Sequence, residues 1–450
     1  MMTNATRTVD VKAFIDAQRF SLSQWVILIL CFCIVTADGY DAAAIGFIAP
    51  ALTQDWGIPR TELGVVMSAA LVGLGLGSVL GGPIADRIGR KSVLVVSVAC
   101  FGVWTLIAAN SHTVFSLTVF RLLTGLGLGA AMPNTVALMS EYAPERLRSM
   151  TVNVMYCGFS VGLIAGGAAS AWLIPHVGWQ SILVIGGAVP IFLSFVLLVF
   201  LPESVQFLAV RHGTREKIER ILKRIAPHAS LENCHFVASS ASASKATGRA
   251  ALALILSRDY RARTFLLWTA YFTSLIVYYL LTNWMPTLFR DLGFSTEHSM
   301  LIASLFPLGG LIGNPVTGWL MDRVNANRTI VYAYVLVAVL VVLIGQSVGN
   351  ELALGVLIFL CGALATSAST SLSAYAAQIY PTEGRSTGVA WMQGVGRFGG
   401  VAGSFAGAAL LGLGWHLGDV FTLLAVPALI SAASIFSINQ NKLVELETQS

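Results

Sequence analysis

The sequence predicts an all-α membrane protein with twelve transmembrane helices in two six-helix halves. Three observations predict it. Charged residues make up only 11% of the 450 positions while 56% are hydrophobic, and mean hydropathy is +0.76. Soluble domains carry roughly 25% charged residues, so this chain has too little polar surface for water and must face lipid. Apolar runs of about 20 residues, enough to cross a ~30 Å hydrocarbon core, recur along it. Finally, the chain repeats itself. "PALTQDWGI" at Pro50 returns as "PTLFRDLGF" at Pro286, and "ADRIGRK" with Asp86 returns as "MDRVNANR" with Asp322, both at an offset of 236. "PERLRS" at Pro144 returns as "PTEGRS" at Pro381, and Gly162 returns as Gly399, both at 237. Such a repeat is expected of two parallel halves related by an axis along the membrane normal, with a site near the midplane between them.

Taken in order, residues 1–22 read as a polar cytoplasmic tail without a short apolar core and cleavage site, so no cleavable signal is expected. Residues 23–201 read as the first six spans and 202–262 as a cytoplasmic linker. The linker opens with a basic amphipathic helix from Arg215 to Arg224 and continues through "SSASASKATGRA", read as flexible. Residues 263–438 read as the second six spans and 439–450 as a cytoplasmic tail. Orientation follows from the basic residues. All 27 Lys and Arg except Arg60, Arg290, Arg121 and Arg397 fall on the side of the termini, and excess Lys and Arg mark the cytoplasmic face. The +5 net charge thereby reports topology and does not call for nucleic acid.

Four ionised groups interrupt the spans: Asp38 and Asp41 in the first, Arg121 in the fourth and Arg397 in the eleventh. Each costs about 2.5–3.5 kcal/mol at a helix centre unless it faces the bundle interior and finds a partner. Asp38 and Asp41 are three apart, hence on one helix face, and two neighbouring carboxylates in a low dielectric resist ionising together. They read as proton-coupling groups, the plainer alternative being that both only neutralise arginines. Arg121 reads as the partner of a first-span acid, as structure or as switch. Arg397 lies in "WMQGVGRFGG". Its planar fork matches a carboxylate, and Trp391 and Gln393, with Phe398, offer an aromatic wall and a polar contact. Tyr40 joins Arg397, Gln393 and Trp391 as a substrate-binding candidate. Asp86, Arg87, Arg90 and Lys91 in the "DRIGRK" turn read as a gate latch.

Other chemistry finds less support. The seven histidines fall in loops or near span ends, and five of six cysteines in apolar runs, with Cys234 in a polar loop. No nucleophile–base set, metal cluster or phosphate loop is present, so no enzyme activity, cofactor or metal is expected. Glycines at 158, 162 and 166, and again at 399, 403 and 407, share a helix face and predict close helix packing.

These motifs have a family resemblance. "GGPIADRIGRK" resembles the loop signature of the major facilitator superfamily, "RLLTGLGLGAA" its fourth-helix arginine motif, and "PES" at Pro202–Ser204 the end of its sixth helix. "DGYDAAAIGFIAPAL" resembles the first-helix motif of the aromatic acid:proton symporters within it, bacterial inner-membrane carriers of hydroxybenzoates, protocatechuate and gentisate. The resemblance implies the major facilitator fold and uptake of an aromatic carboxylate with protons by a monomer in the inner membrane. It also implies that Asp38 and Asp41 are essential and that Arg121 and Arg397 are the family's membrane arginines. "GFSVGLIAGGAAS" lacks the proline of the drug-antiporter signature, and the second loop, "DRVNANR", is degenerate. Another organic anion, a sugar or a drug is the rival cargo, and a carrier doubling as a chemoreceptor the rival role.

Overall fold

The computed structural model describes residues 7–210, 215–229, 231, 234–237, 248–347, 350–380 and 382–449, with side chains for most of them. The N-terminal half begins with β1 (Arg7–Asp10) and α1 (Val11–Ala17). Its long helices are α2 (Leu22–Trp56), α3 (Arg60–Ile88), α4 (Arg90–Ala108), α5 (Val114–Tyr142), α6 (Arg148–Val177) and α7 (Gln180–Phe200). A connecting region holds α8 (Val205–Val210), α9 (Arg215–Ile225), β2 (Cys234–Val237) and α10 (Gly248–Ile255). The second half comprises α11 (Arg261–Asp291), α12 (Thr296–Arg323), α13 (Ala326–Gln346), α14 (Glu351–Ile379), α15 (Thr382–Gly412) and α16 (Leu417–Gln449).

Eleven of these helices are long and apolar enough to cross a membrane among the described residues. The twelfth, α15, is as long, but its glycines and Arg397 lower its hydropathy; it packs on α11 and α3 inside the bundle. The helices overrun the apolar stretches that predict them. For example, α2 begins at a capping box, in which Ser21 Oγ accepts from Gln24 N–H and the Gln24 side chain accepts from Ser21 N–H, and ends at Gly57 in a left-handed turn. Caps of this kind satisfy helix ends in the polar interfacial layers.

The glycine faces predicted above carry the packing. A Cβ on Gly162 of α6 would run into the Thr36 carbonyl of α2, and one on Gly39 of α2 into the Phe159 carbonyl of α6. In the second half, Gly399 and Gly403 meet the Phe272 and Ile276 carbonyls of α11 in the same way. The repeat read in the sequence is thereby repeated in the contacts: α6 lies on α2 as α15 lies on α11.

The halves meet through α2 with α11, α6 with α12 and α3 with α15. Toward the end away from the termini, one apolar cluster runs through both halves, joining Ile48, Leu52 and Leu63 to Met285, Phe306 and Ala408. Toward the end that carries the termini, each half has its own cluster. Ile27, Val98 and Leu197 belong to one, and Leu267, Tyr334 and Met392 to the other. The halves are therefore sealed together at the far end and packed separately at the other.

The segments read as tail and linker carry more structure than the sequence suggests. β1 pairs in parallel with β2, Arg7 opposite Cys234 and Asp10 opposite Val237. Val11, Ile15, Ile218, Leu222, Ile225 and Phe236 are buried in one cluster with Ile27 and Leu28 of α2. Cys234, expected in a polar loop, is buried there instead, because its strand places alternate side chains inward. The helix predicted from Arg215 to Arg224 is α9. Of the stretch read as flexible, residues 239–247 lie outside the described residues, and α10 starts at Gly248.

Backbone contact leaves no room for a side chain at Gly162, whereas Gly75 has nothing near its missing Cβ. Gly162→Val is expected to destabilise the detergent-solubilised protein by about 1–3 kcal/mol, the usual cost of overpacking, lowering its Tm by several degrees. Gly75→Ala should leave Tm unchanged. Thermal unfolding of both variants checks this.

Candidate functional site

The site starts at the middle of α2. Gly39 is where α6 comes against α2, and the acids on either side of it turn to different partners. Asp41 is 1% exposed and Arg121 of α5 is equally buried. Arg121 Nη1 donates to Asp41 Oδ1 at 2.7 Å and Nη2 to the Asp41 carbonyl at 3.4 Å. Thr105 Oγ1 of α4 also donates to Asp41 Oδ1, at 3.4 Å, and shares a hydrogen bond with Thr124 of α5 at 3.3 Å. An acid on α2 is thus held by two side chains of its own half, Arg121 and Thr105.

Asp38, 5% exposed, makes no hydrogen bond or ion pair among the described residues. It lies in the fields of Arg397, from the other half, and of Asp41. Arg397 in turn is half-buried and forms no ion pair or hydrogen bond among the described residues. The two arginines of the spans therefore have different situations. Arg121 is locked to Asp41 within one half, and Arg397 lies in the field of Asp38 from the other half.

Around Arg397 stand tyrosines that sequence reasoning missed. Tyr271 and Tyr279 of α11 pack against α15 where a Cβ on Gly396 or on Gly400 would strike their rings. Tyr156 of α6, from the first half, lies in the fields of both Arg397 and Asp38. A signal for the α11 residues exists: Tyr271, Tyr278 and Tyr279 are seven and eight apart, one stripe of a helix. Thr105, Thr124 and Tyr156 carry no comparable pattern. Toward the sealed end the site is roofed by a small cavity lined by Ala43, Phe47, Leu163, Met285, Ala303 and Phe306, from four helices and both halves.

The remaining candidates fall in two groups. Gln393 lies one turn from Arg397 and its Nε2 donates to Ser373 Oγ of α14 at 3.2 Å. Tyr40 is turned away from Arg397, its hydroxyl donating to the Ile182 carbonyl of α7 at 3.2 Å. Trp391 is 45% exposed and stacks on Trp268 at 5.9 Å, and Phe398 is 68% exposed. Neither ring is brought to Arg397 as a wall. Six residues separate Trp391 from Arg397, about 9 Å along the axis and a third of a turn round it.

The "DRIGRK" turn lies at the end that carries the termini. Gly89 has φ +101°, and the Glu203 carboxylate occupies the space a Cβ would fill. Glu203 Oε1 accepts from the Lys91 backbone N–H at 3.0 Å, so it caps the exposed N-terminus of α4. Arg90 Nε lies 3.6 Å from Glu141 Oε1, which also receives the Ser204 hydroxyl through its other oxygen. Arg87 is exposed, and the Asp86 side chain lies outside the described ones. These contacts bind α4, α5 and the "PES" segment within the first half.

The Major Facilitator Superfamily model matches residues 30–345 and 267–444. The 4-hydroxybenzoate transporter PcaK of Pseudomonas putida is 48% identical over 95% of both chains. The gallate transporter of Pseudomonas putida is 44% identical over 95% of both. Among solved structures, the inward-open xylose transporter XylE from E. coli superposes with a TM-score of 0.72 at 16% identity, covering 92% of this chain and 95% of that one. The fold, the repeat and these relatives agree: the chain is a membrane carrier, not an enzyme, and belongs to the major facilitator superfamily.

Proposed function

We propose that this carrier imports an aromatic carboxylate of the hydroxybenzoate type together with at least one proton, by alternating access of one site between its halves. The observation that carries the reading is Arg397, a permanently charged guanidinium with no carboxylate paired to it among the described residues, in the field of the buried Asp38 of the other half. A planar fork of donors suits a carboxylate. The names of the relatives, transporters of 4-hydroxybenzoate and of gallate, supply the class of ring.

The coupling follows from charge balance. With Asp38 ionised, Arg397 already has a counter-charge in its field. Protonation of Asp38 removes it and leaves the guanidinium to a substrate carboxylate. In either state the pair is neutral, which is what a cavity closing inside the hydrocarbon layer requires. Loss of the proton on the other side restores the charge on Asp38 and releases the anion. Asp41, fixed to Arg121, places a second acid beside Asp38 in the same cavity. Arg121 couples the events through Asp41 rather than by touching substrate. One proton carried with a monoanion moves no net charge, so only the pH gradient drives it, at about 1.36 kcal/mol per unit.

The excess of Lys and Arg on the side of the termini supports cytoplasmic termini, the bacterial relatives support an inner-membrane location, and on this reading the carrier works as a monomer. The separately packed end then faces inward, and the turn with Asp86, Arg87, Arg90 and Lys91 acts as a latch on that side. Gln393, one turn from Arg397, is a further contact for the substrate on this reading.

Uptake of labelled 4-hydroxybenzoate by cells expressing the chain is expected to collapse when a protonophore is added; accumulation that survives it removes the symport reading. Arg397→Lys should cut uptake at least tenfold with normal membrane yield, because an ammonium cannot hold a carboxylate bidentately. Asp38→Asn should lose accumulation yet keep substrate counterflow in proteoliposomes, since the anion site survives without its proton switch. Asp41→Asn strands a buried guanidinium, a change worth about 3–5 kcal/mol. It should lower yield, and adding Arg121→Gln should restore the yield without restoring transport, as quantified by immunoblot beside uptake.

A further inference from the structure

The tyrosines around Arg397 differ in what their hydroxyls do. Tyr271 is drawn to Ser373, which also accepts from Gln393, so its hydroxyl belongs to a network that steadies α15. Tyr278 turns its ring toward Phe306, 5.8 Å away, and its hydroxyl toward Thr282. Tyr156 and Tyr279 make no hydrogen bond among the described residues. Tyr156 comes from α6 of the first half and Tyr279 from α11 of the second. Both lie in the fields of Arg397 and Asp38. The Tyr279 ring is seated where a Cβ on Gly400 would be, three residues beyond Arg397 and on the adjoining face of α15. Two phenols, one from each half, thus lie in the field of the Arg397 guanidinium without a hydrogen-bond partner among the described residues; Tyr279 is seated against α15, and Tyr156 is 37% exposed, open to an incoming ligand.

Phenolic hydroxyls that can donate and accept are costly to leave unsatisfied in a site that closes away from water. A hydroxyl on the cargo resolves this. A rigid ring with a carboxylate on Arg397 holds its own substituent at a fixed distance from the guanidinium, within the space the two tyrosines bound. We propose that Tyr156 and Tyr279 are the specificity-determining residues of this carrier, hydrogen-bonding a hydroxyl on the ring of an aromatic carboxylate whose carboxylate is held by Arg397. The assignment rests on the transport reading above and extends it from the acid group to the ring. Because the phenols belong to opposite halves, a hydroxylated cargo bridges the halves and an unsubstituted ring does not.

The test uses the full chain in membrane vesicles with labelled 4-hydroxybenzoate and labelled benzoate. Tyr156→Phe and Tyr279→Phe each delete one oxygen and keep the ring. Each should raise KM for 4-hydroxybenzoate about five- to tenfold, the scale of one hydrogen bond, and leave KM for benzoate unchanged. Tyr271→Phe should not alter the ratio of the two. A ratio that stays at the wild-type value in both variants and in their combination overturns the assignment. Equal losses for both substrates also overturn it, since a packing role would act on both alike. The wild-type chain provides a check that needs no variant: 4-hydroxybenzoate should compete at least tenfold better than 4-methylbenzoate, of similar shape but without a donor, and equal competition overturns the proposal. A wild-type chain that moves none of these acids takes the transport reading down and this one with it.

Discussion

The ion pair between Arg121 and Asp41 is the interaction that sets the first half apart from the second. Two charges this deep are tolerated only as a pair, and the pair needs α2, α4 and α5 in register so that Thr105 and Thr124 can complete it. It is not there for stability. The second half has the same helices at a shift of 236 to 237 residues, and the matching positions are Val277, Val341 and Leu357 or Ile358. Val277, Val341 and Ile358 are buried in the apolar cluster. Nature's own substitution of this cluster by aliphatic side chains shows that the fold does not require it, in line with the general finding that well-packed hydrophobic residues replace buried ion pairs at little cost. The position matching Asp38 is Ser274, which simply accepts a 2.7 Å hydrogen bond from Tyr334. The charges are an addition to one copy of a repeated scaffold.

The scaffold itself rests on backbone contact. Lipid gives apolar helices no hydrophobic reason to associate, so close packing must hold them, and α2–α6 and α11–α15 achieve it through carbonyls lying on glycines. These contacts are within halves, and each makes its half a stiff unit. Between halves the contacts are gathered at one end, with separate apolar clusters at the other. Stiff halves joined at one end are what rocking about a central site needs. The tail-and-linker cap belongs to the first half alone: β1, α1, α9 and β2 bury their apolar residues in that half's own cluster.

Much of this was legible in the sequence because hydrophobic length, charge bias and internal repetition are properties of the chain in one dimension. The spans, the halves, the glycine faces and the four charges inside the spans all follow from them. What the sequence did not disclose is which acid meets which arginine. Asp38 and Asp41 differ by 60° on one helix, and that small rotation decides between α5 and α15. Trp391 and Tyr40 sit beside candidate residues in sequence, yet a helix turns consecutive residues through 100° each, and their rings go to Trp268 and to Gly186. Tyr156 and Tyr279 reach the site from α6 and α11, two helices far apart in the chain, which no local pattern records. The order in the tail and connecting region was also hidden, because a four-residue strand is too short for alternation to declare itself, and its partner is more than two hundred residues away.

On the proposed reading, the division of labour between the two acids follows from what each would have to break. For Asp41 to take a proton, it would have to give up a 2.7 Å charge-assisted hydrogen bond and leave Arg121, whose Nε is already buried without a partner, as a naked cation in hydrocarbon. For Asp38 to take one, no hydrogen bond among the described residues is lost, and the guanidinium it leaves behind is the group best suited to an incoming carboxylate. An acid that exchanges protons must be poised between two states of similar energy, and an acid clamped by an arginine is not. Asp41 is then the fixed acid beside Asp38, and the short rotation between them separates a structural carboxylate from a working one.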